Sequence, residues 1–132
     1  MKLLGALALP ALLGLSGCFG DETVSAYGAA GKTWQLVELE GSPFMGRATL
    51  SFPEPGRISG EAPCNRFTAA QEVPYPWFDA GPIAATRMAC PELDQETAFL
   101  AALERATLVE VLGDTLILKD DSGVLMVFRA RG

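Results

Sequence analysis

From Thr33 onward the hydrophobic residues fall in short runs separated by turn-forming residues, and in most runs they recur at every second position. That is the period of a half-buried antiparallel strand. Trp34, Leu36, Val37 and Leu39 make the first segment, with imperfect alternation, and Gly41, Ser42 and Pro43 end it. Ala48, Leu50 and Phe52 alternate cleanly, Pro53 to Gly56 form a turn, and Arg57 to Glu61 return as the hairpin partner. Asn65 to Val73 offers a further strand. Pro74, Pro76 and Pro82, grouped around Trp77 and Phe78, keep the next stretch out of a central ladder position because proline has no N–H to donate. It reads as loop or edge, and Ile83 to Met88 then reads as one more short strand.

The period changes between Glu92 and Ala106. Phe99, Leu100, Leu103 and Ala106 share one face of a 3.6-residue helix, and Pro91 stands just inside its expected start. Glu92, Asp94 and Glu96 place negative charge at the positive end of the helix dipole, an ordinary structural role. Leu108 to Leu112, Thr115 to Leu118 and Val124 to Phe128 form a meander, divided at Gly113-Asp114 and at Asp120 to Gly123. Asp120 and Asp121 read as a solvated hairpin tip, since the loop lacks the alternating oxygen ligands and terminal glutamate of a calcium loop. Antiparallel strands with a single helix predict an α+β domain.

The amino-terminal residues follow another logic. Met1 to Gly17 carry one charge at Lys2, an apolar run from Leu3 to Leu15 and small residues at Ser16 and Gly17. The run is too short to span a bilayer and suits a cleaved secretory signal. Leu15-Ser16-Gly17-Cys18 resembles the lipobox of bacterial lipoproteins, in which the cysteine is acylated and becomes the new amino terminus. The resemblance implies a signal peptide at 1–17 and a membrane held through lipid (palmitate and its like) on Cys18. Phe19 stands where an aspartate would mark retention in the inner membrane, which favours an outer-membrane anchor facing the periplasm. Residues 18–31, rich in Gly, Ala and Ser, read as a flexible lipidated tether, leaving 32–132 as the folded domain.

Composition narrows the chemistry. Of 132 residues none is histidine, which removes the commonest general base and the commonest neutral metal ligand. Removing the signal leaves about 115 residues, enough for one domain whose core needs few staples. The formal charge is −6, and Arg47, Arg57, Arg66, Arg87, Arg105, Arg129 and Arg131 are scattered singly, so nucleic acid is not an expected partner. No cofactor or metal is implied.

Four segments then resemble the META domain family of HslJ-like envelope proteins. They are Trp34-Gln35-Leu36, Ile58-Ser59-Gly60 leading to Cys64-Asn65-Arg66-Phe67, Ala85-Thr86-Arg87-Met88-Ala89-Cys90-Pro91, and Gly113-Asp114-Thr115-Leu116-Ile117-Leu118. Order and spacing agree over Thr33 to Arg129. Ala62-Pro63 departs from the glycines usual before the Cys-Asn pair, and the proline restricts the local turn. The resemblance implies a small antiparallel, partly closed, barrel-like sheet with one packed helix. It implies a link to envelope stress, drug tolerance or secretion without a reaction.

With Cys18 assigned to lipid, Cys64 and Cys90 are an even pair in an oxidising compartment, and a disulfide worth about 3 kcal/mol is expected. Two buried free thiols are the alternative, and a redox pair the outsider. The motif residues Trp34, Gly60, Asn65, Arg66, Thr86, Arg87, Met88 and Pro91 read as structural, though Asn65 with Arg87 gripping an anionic group is the other reading. Tyr75, Trp77 and Phe78 form either a contact surface or a cap over one end of the sheet. Thr86 and Ser59 have no base at hand, so no enzyme is expected; one would need Glu61 to converge with Asp79 or Glu110 in a cleft. The expectation is a non-catalytic stress-response or assembly accessory that binds another envelope component. A carrier of a lipid or other small apolar ligand is the alternative.

Overall fold

The computed structural model describes residues 20–131, so the signal segment and Cys18 lie outside the described residues. Among these, the alternating runs become β1 (Thr33–Leu39), β2 (Ser42–Pro43), β3 (Thr49–Glu54), β4 (Arg57–Glu61), β5 (Arg66–Ala70) and β6 (Ala84–Ala85). The helix α1 (Leu93–Arg105) follows, and β7 (Leu108–Leu112), β8 (Thr115–Asp120) and β9 (Gly123–Arg131) complete the chain. The strands form one antiparallel sheet in the order β6-β5-β4-β3-β1-β9-β8-β7, with β2 attached to β1. The sheet is not closed, and β6 and β7 are its two ends. The expected antiparallel α+β arrangement is present.

Alternation decides which face is buried. Trp34 and Leu36, Leu50 and Phe52, Ile58, Phe67, Leu116 and Leu118, and Met126 and Phe128 all point inward and are 4% exposed or less. The α1 face carrying Phe99, Ala102 and Leu103 is buried with them, and Phe99 meets Phe67 edge to face at 5.6 Å. The position after Ser59 is glycine for want of space. A Cβ on Gly60 would run into the Thr49 carbonyl oxygen and come within 2.8 Å of the Phe67 ring.

Several local expectations change in the fold. The strand expected at Ile83 to Met88 shrinks to Ala84–Ala85, because beyond Ala85 side chains take the ladder's N–H groups: the Thr86 hydroxyl accepts the Arg66 N–H and the Asn65 amide oxygen accepts the Met88 N–H. Pro91 lies outside the helix, ahead of the Glu92 cap. Part of the segment read as a flexible tether is packed instead. Val24–Tyr27 is a short 3-10 turn, Thr23, Val24, Ser25 and Ala29 are buried, and the Trp34 indole N–H donates to the Ala29 carbonyl at 2.9 Å. Small residues suit a tether, but they also fit beneath an indole, and composition does not separate the two.

Candidate functional site

The first turn of α1 delivers Glu96 into the interior, where it is 5% exposed. One carboxylate oxygen accepts the backbone N–H groups of Cys64 and Asn65, both at 2.8 Å, and the other accepts the Asn65 side-chain amide at 2.6 Å. Asn65 Nδ2 also donates to the Met88 carbonyl, while its Oδ1 accepts the Met88 N–H at 2.6 Å and the Thr86 hydroxyl at 2.9 Å. Thr86 Oγ1 in turn accepts the Arg66 N–H. Both donors and both lone pairs of the amide are used, so nothing of Asn65 remains for a ligand. The reading in which Asn65 and Arg87 jointly grip an anion has no geometry behind it.

The Cys64–Cys90 disulfide, with Cα atoms 5.8 Å apart, closes this node and removes the free-thiol alternative. Together these bonds strap residues 86–91 onto the β4–β5 turn and the helix. Ala62-Pro63 fits the turn, whose Ala62 N–H bonds the Asn65 carbonyl at 2.7 Å. Glu96 is therefore more than a dipole acid, as a buried acceptor for three N–H groups. The sequence signal that could have found it is its register, one turn before Phe99 and Leu100 on the apolar face.

The outer face of the sheet is polar. Arg131, Thr33, Ser51, Ser59 and Thr68 are successive cross-strand partners from β9 through β1, β3 and β4 to β5. Two residues along, Arg129, Gln35, Thr49, Glu61 and Arg66 make a parallel row, with the Glu61 N–H bonded to the Thr49 hydroxyl. Arg47 joins them through a 3.3 Å ion pair with Glu61. Among the described residues Arg66, Arg129 and Arg131 have no carboxylate partner. Arginines scattered singly in sequence thus collect on one face, with Glu61 their one acid within the two rows. A cleft of about 540 Å³ opens there between Thr33, Arg47, Thr49, Glu61 and Arg131, and another of about 320 Å³ runs from Arg47 to Met88. Small hydroxyl side chains make the floor and guanidinium groups the rim, which is a donor-rich surface for an anion.

The aromatic segment divides. Phe78 is 2% exposed and belongs to the core, while Tyr75 is half-buried, stacks on Tyr27 at 4.7 Å and accepts the Val111 N–H at its hydroxyl. Trp77 is 56% exposed and bridges to Leu108, and the Phe78 N–H and Pro76 carbonyl bond Thr107 and Val109, so the segment runs along the β7 edge. Of the motif residues, Trp34 and Asn65 are buried, whereas Arg66, Thr86, Arg87, Met88 and Pro91 are exposed.

The carboxylates an enzyme would need are not brought together in the clefts described. Glu61 pairs with Arg47, Glu110 pairs with Lys119, and neither Asp79 nor Glu110 lines a cleft with Glu61. Among the described residues no group of three or more cysteine or acidic side chains is arranged to hold a metal ion.

Three solved structures share the fold. An NMR structure of a protein from Burkholderia xenovorans is 21% identical, with a TM-score of 0.62, covering 93% of this chain and 99% of that one. A second NMR structure is 24% identical over 74% of this chain and 87% of the other, at a TM-score of 0.58. The crystal structure of a DUF4847 family protein from Bacteroides vulgatus is 15% identical, covering 83% and 97%, at 0.61. No curated protein matches. The META domain family matches residues 28–132, taking in the strap, the polar face and α1, and this chain belongs to that family.

Proposed function

We propose that this chain is a non-catalytic envelope lipoprotein, anchored through lipid on Cys18, that binds an anionic group of another envelope component with the arginine-rimmed face of its sheet. The observation that carries the reading is the gathering of Arg47, Arg66, Arg129 and Arg131 over a floor of Thr and Ser in a chain of net charge −6. Against that overall charge, a local cationic face selects and orients an anionic partner. A stress-response or assembly accessory needs such a surface and no reaction centre. The export signal and lipobox at 1–18 favour an outer-membrane position facing the periplasm.

The sheet itself is best taken as a partly closed barrel. What supports this is the segment after β5, whose Trp77 bridges to β7 and so brings the two ends of the sheet toward each other. For a carrier, such a barrel would need interior space. The interior positions here hold Trp34, Phe67, Phe99 and Phe128, all 2% exposed or less, which favours the accessory reading.

A photo-crosslinking residue placed in the full-length protein at Ser59, on the face, and separately at Glu104, on the exposed side of α1, tests this in cells. A discrete adduct is expected at Ser59, absent at Glu104 and lost when Arg66→Glu and Arg131→Glu are added. Equal crosslinking at both sites, or an adduct indifferent to the charge reversals, would count against it.

A further inference from the structure

The fold begins very close to the cysteine that the lipoprotein reading acylates. The Glu22 carbonyl already accepts the Tyr75 N–H at 2.7 Å, Asp21 caps Thr23 through its N–H and hydroxyl, and Val24 is fully buried. Gly20 lies only two positions beyond Cys18, a reach of about 7 Å even when fully extended. A lipid on Cys18 would therefore hold the domain against the bilayer surface, and the side of the domain nearest that surface is the side where Glu22 meets Tyr75.

That side is aromatic. Tyr27 is 51% exposed and stacks on Tyr75, Trp77 follows two residues later at 56%, and Leu112, next to the Val111 that bonds the Tyr75 hydroxyl, is 62% exposed. Tyrosine and tryptophan favour the headgroup region, where an apolar ring and a polar tip are both satisfied. Asp21, Glu22 and Glu72 line a cleft beside Gly20 and Pro74, so the neighbouring charge is negative and suits zwitterionic lipid rather than an anionic surface.

We propose that the edge formed by Tyr27, Tyr75, Trp77 and Leu112 seats in the headgroup layer of the same bilayer that holds the Cys18 lipid, with a preference for zwitterionic headgroups. This rests on the lipoprotein reading and adds an orientation: the domain lies on the membrane instead of swinging from a tether. The contact surface sought in the aromatic segment then has the bilayer as its partner.

The chain's two tryptophans make the test direct, since Trp34 is fully buried and Trp77 exposed. Full-length protein isolated from membranes is reconstituted into phosphatidylethanolamine–phosphatidylcholine vesicles carrying bromine-labelled acyl chains. Trp77→Phe gives the Trp34 background, and Cys18→Ser in buffer gives the unseated reference. The expected result is a shift of Trp77 emission to shorter wavelength with quenching by the brominated chains, both weakening as anionic lipid is added. A lipid increment on Cys18 by mass, with Trp77 emission unchanged from the reference, would overturn the seating and leave the anchor intact. Absence of the lipid increment would overturn the lipoprotein reading itself.

Discussion

Gly60 and Asn65 mark the two positions where a single atom decides the local structure. At Gly60 a methyl group has no room between the Thr49 carbonyl and the Phe67 ring, and Gly60→Ala is expected to lower unfolding stability by about 2 kcal/mol in denaturant titration. A change below a few tenths would mean β3 and β4 can part freely. Asn65→Asp would set a carboxylate against Glu96, 2.6 Å from the amide nitrogen it replaces, and against the Met88 carbonyl. A loss of about 3 kcal/mol is the expected cost of that buried mismatch, and near-neutral stability would sink the account of the strap. The sequence made Asn65 visible through its motif but left Glu96 hidden. A glutamate in a first helical turn is fully explained by the dipole until a distant turn is found hanging its N–H groups on it.

Elements whose determinants are local were the legible ones. The helix, the β3–β4 hairpin and the two turns of the meander are written in adjacent residues, in the spacing of Phe99 and Leu103 or in Gly113-Asp114. The pairing of β1 with β9, which puts the first and last strands side by side in the middle of the sheet, depends on contacts far apart in sequence and left no local trace. The hairpin between β8 and β9 also carries a titration. Asp120 Oδ1 accepts the Ser122 hydroxyl at 2.5 Å and its N–H at 2.8 Å, and these bonds, with Arg105 nearby, hold the carboxyl below the usual carboxylate range. Its contribution to stability is therefore present above the unfolded value and lost as the pH falls through the lower folded one. Ser122→Ala is expected to raise the Asp120 midpoint toward the ordinary value in an NMR titration. An unmoved midpoint would assign the shift to Arg105 instead.

At the scale of the molecule, charge totals misled where register informed. A chain of net charge −6 with arginines spread singly gives no sign of a cationic face, because that face is assembled by strand pairing across β9, β1, β3, β4 and β5. The packing of residues 22–29 is hidden for a related reason: Ala29 is held by Trp34 and Glu22 by Tyr75, neither adjacent in sequence to the residue it holds. What emerges is a domain with a filled interior, a disulfide-closed strap, one donor-rich face and an aromatic edge, to which the proposals above assign an anionic partner and the bilayer. Intact mass of the full-length protein extracted from membranes, taken under native and then denaturing conditions, bears most directly on that account. The expected mass begins at Cys18, carries covalent acyl groups, lacks one hydrogen from each of Cys64 and Cys90, and loses nothing on denaturation. A chain retaining residues 1–17 with Cys18 unmodified, or one that sheds a lipid-sized ligand when unfolded, would contradict it.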